Sequence, residues 1–309
     1  MPIIFEPIYL TGQVLTEPLF FPLQLPDNRF AAWREFRIYI DMYRSGQHLG
    51  GDKVGMFSPK FGLKCKISAQ QFLDFCDQHK SADVCFINPF PHIRYRSYNV
   101  WMQGEANHPG LINCAQNLLA ASGVTWNLAN VPRQAEATLA YSNFWVGSEK
   151  FWTRYVGEIL EPIAQLLENN PEHPAAKAVT CQTFHSDPAP FLPFIIERLF
   201  STFLSFSPDI KAQAYPLKNA LDYCLSEDEK TRVLEFVPTI DAADQSGFFS
   251  EELLKTMWEL VHDDTRVAKE YFSTNPHPHT GRMIQADSTP ASSSYDSSKD
   301  EAPPAGPAS

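Results

Sequence analysis

Glu197 and Arg198 stand side by side in FLPFIIERLFSTFLSF, residues 191–206, a run that is otherwise almost wholly apolar. Taking either ion out of water costs several kcal/mol unless it is paired, hydrogen-bonded or facing a wet cleft. Two readings follow: a structural ion pair inside the core, or a carboxylate delivered to the wall of an active site. Other polar residues gather at the ends of strand candidates, where α/β sheets bind their ligands. Ser58, Pro59 and Lys60 follow one such strand, Asn88 and Pro89 follow another, and Asn143 lies in a third. Gln103, Glu105 and His108 cluster in a stretch rich in turn formers. Together these residues predict a polar cleft along one edge of a sheet.

The elements that must position them are legible from periodicity. In residues 191–206, Leu192, Ile195, Ile196, Leu199, Phe203 and Phe206 recur at helical spacing after an Asp187–Pro188 start, which predicts a buried helix. Strands are expected over 3–10, 52–58, 83–88, 137–146 and 210–215, and helices over 29–46 and 111–122. Ser68 with Gln71, and Ser226 with Glu229, have capping-box spacing. Ser148 opens a long helix that Pro162 should kink or split, and Ser250 opens a last one to about Tyr271. Residues 94–110 read as irregular. Alternating strands and helices predict an α/β fold, one domain over 1–272 whose mostly parallel central sheet is flanked by helices. Residues 273–309, rich in Pro, Ser, Asp and Ala, predict a disordered tail.

Bulk properties narrow the function. The chain has 309 residues, 44% of them hydrophobic, ample for a packed core. A net charge of −11 argues against nucleic acid as a partner, because phosphate backbones need clustered Lys and Arg; a local basic pocket for one diphosphate is compatible with it. The opening MPIIFEPIYL lacks a cationic n-region, no apolar run reaches bilayer length, and the six cysteines form no CxxC pair. These features predict a cytoplasmic protein with reduced thiols and no transmembrane segment. Dinucleotide, P-loop, serine-hydrolase and zincin motifs are missing. Two histidines in NPHPHTG, 275–281, read as incidental rather than metal-binding.

The order and spacing of these pieces resemble the capsular-polysaccharide-synthesis family of glycosyltransferase-like domains, which are similar to GT-A glycosyltransferases. The residues that carry the resemblance run from about 50 to 205. They are the 52–58 strand with Lys60, Asp83-Val84-Cys85-Phe86-Ile87, Gln103 with His108, Asn143-Phe144-Trp145-Val146, the helix with Phe151, Trp152 and Tyr155, and Glu197-Arg198-Leu199. The family's basic turn is reduced here to Phe57-Ser58-Pro59-Lys60, and no Asp-x-Asp ends a strand.

The resemblance implies a GT-A-like domain that moves a sugar from a nucleotide-sugar donor to a glycan or lipid-linked acceptor, as in capsule, O-antigen or exopolysaccharide synthesis, with peripheral contact at the inner membrane. It implies catalysis by Glu197 and His108, and donor or sugar binding by Lys60, Asp83, Asn88, Gln103, Asn143 and Arg198. Trp101 and Trp145 read as core residues first and sugar platforms second, on burial tendency. The resemblance leaves a requirement for Mn2+ or Mg2+ open. Two other expectations stand beside it: an inactive binding subunit of the same fold, and a hydrolase pairing Glu197 with a second acid about 5–10 Å away.

Overall fold

The computed structural model describes residues 1–25, 27, 29–183, 189–278 and 281–283. Strand β1 (Ile3–Ile8) pairs in parallel with β2 (Phe21–Gln24) and β3 (Val54–Met56). Further along the chain come β4 (Val84–Phe86), β5 (Trp145–Gly147) and β8 (Ala212–Ala214), completing a sheet in the order β2-β1-β3-β5-β4-β8. Only β5 is antiparallel to its neighbours β3 and β4. The sheet is therefore mostly parallel, as the sequence predicts. A separate two-residue ladder pairs β6 (Gln182–Thr183) with β7 (Ala189–Pro190).

Alternation along the strands divides the core between two faces. Cys85, Ile87, Phe144 and Val146 point to a smaller cluster with Phe61, Phe72 and Phe75 from α2 (Phe61–Cys65) and α3 (Ala69–Gln78). Val54, Met56, Val84, Phe86 and Trp145 point the other way. There they meet α1 (Glu35–Arg44), α4 (Val100–Asn107), α5 (Leu111–Ala121), α8 (Pro174–Thr180) and α9 (Phe191–Phe206). Helix α9 occupies the bounds expected for it and buries Leu192, Ile195, Ile196, Leu199 and Phe203. Its proposed Asp187–Pro188 start lies outside the described residues; Pro190 is the N-cap. Ser68 and Gln71 form the expected capping box on α3.

Four expectations are corrected. Residues 94–110 are not irregular throughout, because Asn99 accepts the N–H groups of Trp101 and Met102 and starts α4 within them. The fourth strand is Trp145–Gly147 alone, because Ser142 and Asn143 adopt left-handed φ angles of 66° and 53° that no strand can contain. Pro162 does not split its helix. It falls in the first turn of α7 (Glu161–Asn169), after α6 (Glu149–Phe151) and a wider π-helical run, Trp152–Leu160, where a missing N–H is tolerated. Finally, Glu229 does not close a capping box on Ser226; its carboxylate accepts from the N–H of Leu225 and turns toward Arg96 instead.

Two last helices, α10 (Glu227–Ser246) and α11 (Glu251–Thr274), complete the described fold. The expected domain end at 272 falls in the last turn of α11, and most of the expected tail, residues 284–309, lies outside the described residues. Among the described residues no helix is long and apolar enough to cross a membrane.

Candidate functional site

A cleft of about 880 Å³ opens along the edge of the sheet where the parallel strands end. Tyr9 and Leu10 follow β1 into it, Ser58, Pro59 and Lys60 follow β3, and Phe90 and His92 follow β4. Because β5 runs the opposite way, its entry rather than its exit reaches this edge and supplies Tyr141, Ser142 and Asn143. Helices α4 and α9 form one wall through Gln103, Asn107, His108, Glu197 and Arg198. Helix α11 forms another with Val261, Asp264, Lys269 and Phe272.

At the centre lies the turn before β5. Two consecutive left-handed residues that are not glycine cost roughly 1–2 kcal/mol each, so the turn needs holding. Ser142 donates its N–H to Glu197 Oε1 at 2.7 Å, and its hydroxyl accepts from Lys64 Nζ at 2.9 Å. Tyr39 donates to the Asn143 carbonyl at 3.0 Å. Glu197 is thus fixed through one oxygen while its side chain remains 24% exposed to the cleft. That degree of exposure keeps the carboxylate reachable by a ligand.

Arg198 is not a simple ion-pair partner. Its Nη1 is 3.7 Å from Glu197 Oε2, too long for a hydrogen bond. Instead it donates to the carbonyls of Val100 at 3.0 Å and Phe194 at 2.7 Å, and to the Gln103 side chain. It ties α9 to α4. Burial pushes its pKa down, and the neighbouring Glu197 charge partly restores it. Gly104 makes this approach feasible: a Cβ there would stand 2.3 Å from Arg198 Nε.

The expected site residues therefore divide. Lys60, Gln103, His108, Asn143, Glu197 and Arg198 all line the cleft. His108 is buried, stacked on Phe194 at 3.9 Å between ring centroids, with Nδ1 3.5 Å from Thr183 Oγ1. Asp83 lies at the amino end of β4, away from the cleft, bound to Lys150 Nζ at 3.1 Å and to the N–H of Lys211 at 2.8 Å. Asn88 is at the right edge but folds back to accept the N–H of Phe90 at 3.0 Å. Glu105 accepts from Gly110 and Ile112 at the start of α5. Trp101 donates to Thr202 inside the core, and Trp145 stacks on Tyr39, so neither is a sugar platform.

Sequence reasoning missed Lys64, Tyr141, Ser142, Arg96, Glu229 and Asp264. Lys64 sits in short helix α2 with its ammonium deep in the cleft wall, 5.7 Å from the Phe90 ring centroid. Burial pushes its pKa down, while Glu197 and Glu35 pull the other way. Arg96 bridges Glu229 at 2.8 Å and Asp264 at 2.9 Å, and Arg232 reaches Asp264 at 2.7 Å. His92 Nε2 is 3.3 Å from Glu229. The Asn before α4 was a usable signal for that helix, but nothing local marks partners 130 residues apart.

The His92, Cys224 and Glu229 group beside the cleft does not suit a hard divalent cation. His92, Cys224 and Glu229 place one ligand atom each within 4.8 Å of one another. Magnesium and manganese prefer oxygen ligands, however, and Glu229 is already neutralised by Arg96. Asp264 is saturated by two guanidinium groups. What the cleft does offer is positive charge: Arg34, Lys60, Lys64, Arg96, Arg198 and Lys269 against Glu35, Glu197, Glu229 and Asp264. In a chain of net charge −11 this local cationic excess favours an anionic ligand.

No family model, curated protein or solved structure matches the chain.

Proposed function

We propose that the protein is a GT-A-like glycosyltransferase that binds a nucleotide sugar in this cleft and passes the sugar to a glycan or lipid-linked acceptor. The observation that carries the reading is a cation-rich cleft of about 880 Å³ at the carboxyl edge of the sheet, with a partly exposed glutamate in its wall. The volume falls within the roughly 300–1,000 Å³ typical of sites for small molecules. Lys60 at the rim and Lys64 below it oppose the charge that develops on a departing nucleoside diphosphate. Glu197 accepts the proton of the attacking hydroxyl, and its hydrogen bond from Ser142 fixes the direction of that acceptance. Arg198 is a positioning residue: it braces α9 on α4 and so sets where Glu197 stands.

The test is a thermal-shift screen of nucleoside diphosphates and nucleotide sugars, followed by donor hydrolysis without acceptor. Saturating ligand at about 100 times its Kd adds roughly 2.7 kcal/mol of stability. Glu197→Gln should keep donor binding and lose turnover. Binding without any turnover in the wild type would favour an inactive binding subunit. A chain that binds no nucleotide sugar sinks the reading.

One observation favours a second reading. Glu35 lines the same cleft as Glu197, and both charges act on Lys64. A hydrolase using these two acids would cleave glycosides without any nucleotide.

A further inference from the structure

The floor of the cleft holds polar groups that the fold leaves unpaired. Tyr141 is 3% exposed, and its hydroxyl has no hydrogen-bond partner among the described residues. The side chain of Asn143 is 8% exposed, lines the cleft, and makes no hydrogen bond among the described residues. The ammonium of Lys64 can donate three hydrogen bonds and donates one, to Ser142. It has no carboxylate within ion-pairing distance among the described residues. Two of the three flank one ring: the Phe90 centroid is 6.2 Å from that of Tyr141 and 5.7 Å from Lys64 Nζ, and Lys64 is bonded to Ser142, the residue between Tyr141 and Asn143.

Such an arrangement opposes stability. A buried hydroxyl without a partner costs about 1–3 kcal/mol. Placing an ammonium deep in a wall adds a desolvation cost of its own. Folds retain groups like these where a ligand satisfies them. Each of the groups can donate: a phenol, an amide NH2 and a cation, of which the cation cannot accept. Glu197, the acceptor beside them, already takes the Ser142 N–H.

We infer that Tyr141, Asn143 and Lys64 form the seat of a phosphate group, with the Tyr141 hydroxyl and Asn143 amide donating to its oxygens and Lys64 opposing its charge. A tetrahedral anion can accept from several directions at once, as these donors require. The seat deepens the nucleotide-sugar reading and rests on it for the ligand, a diphosphate ester. It also assigns the cation that faces the phosphate to Lys64 rather than to Arg198, which already donates to Val100, Phe194 and Gln103.

The test uses inorganic pyrophosphate, titrated by calorimetry into the full chain and into Tyr141→Phe, Lys64→Met and Lys60→Ala. Tyr141→Phe should raise the melting temperature without ligand, since it deletes only an unpaired hydroxyl, and should weaken pyrophosphate binding about tenfold or more. Lys64→Met should cause a larger loss of affinity, with some loss of ligand-free stability because its bond to Ser142 goes too, and Lys60→Ala should weaken binding less than either. The seat is overturned if Tyr141→Phe lowers the ligand-free melting temperature and leaves affinity unchanged, because the hydroxyl then has a structural partner. It is equally overturned if Lys60→Ala abolishes binding while the other two variants bind normally. If pyrophosphate binds through the seat while no nucleotide sugar is bound or hydrolysed, the seat stands and the glycosyl-transfer reading falls.

Discussion

Glu229 makes the acid stability of this protein calculable. It sits in the cleft wall with Arg96 at 2.8 Å and His92 Nε2 at 3.3 Å on one carboxylate oxygen, while the Leu225 N–H meets the other. Burial by itself would raise its pKa. The His92 hydrogen bond and the Arg96 charge outweigh that and hold it at about 2, against an ordinary 4.5. A carboxylate depressed in the folded state adds stability that is complete above the unfolded pKa and disappears as pH falls through the folded one. At about 1.4 kcal/mol per pH unit, the contribution at neutral pH is about 3 kcal/mol. That figure is a ceiling, because burial lowers the pKa of His92 and keeps it neutral at pH 7, so Arg96 supplies most of the charge. His92 acts in the same direction: its protonation, favoured only in the unfolded chain, erodes stability from about pH 6.5 downward.

The assay is urea unfolding at a series of pH values for the wild type, Glu229→Gln and His92→Asn. Glu229→Gln should cost up to about 3 kcal/mol at pH 7 and flatten the loss between pH 4.5 and 2. His92→Asn should flatten the loss that begins near pH 6.5. If Glu229→Gln keeps the wild-type slope below pH 4.5, the ionic network does not carry the acid sensitivity and the reasoning fails.

Three further outcomes are expected. Gly104→Ala should destabilise by about 1–3 kcal/mol through its clash with Arg198, even though alanine is the better helix former by about 1 kcal/mol; a more stable variant in thermal denaturation would refute the tie between α4 and α9. Leu199→Ala, at a fully buried position of α9, should cost about 2–5 kcal/mol in chemical denaturation. Because burial lowers the pKa of Lys64, pyrophosphate affinity measured against pH should decline before the ordinary lysine range near 10.4 is reached, and Lys64→Arg should postpone the decline.

Sequence was most informative where one local force decides. Helix α9 kept its expected bounds because its apolar residues recur on nearly every face and no competing partner is needed. The Ser68–Gln71 box formed because both partners lie within one turn. Strands β3 and β4 were visible as short apolar runs ending at polar residues, and six of the eight expected site residues line one cleft. Misses came where distant groups decide. Gly104 weakens any helical reading of α4, and its reason, the guanidinium of Arg198, lies 94 residues away. The turn at Ser142–Asn143 looked like strand because Ala137 to Tyr141 are mostly apolar. What bends it is Glu197, Lys64 and Tyr39, none of them nearby in sequence. Asp83 misled for a simpler reason: it stands at the start of β4, and the parallel strands meet the cleft at their carboxyl ends.

The reversed direction of β5 has a consequence for how this chain can vary. The connection from α5 to β5 ends at the cleft with Tyr141, Ser142 and Asn143, so adding or deleting a residue just before β5 would shift these three against Glu197. After Gly147 the chain leaves from the opposite edge and packs its next helices away from the ligand. Length changes in the connection near Asn170, between α7 and α8, would therefore be absorbed at the surface. The same antiparallel strand separates a stretch that must keep its count of residues from one that is free to drift.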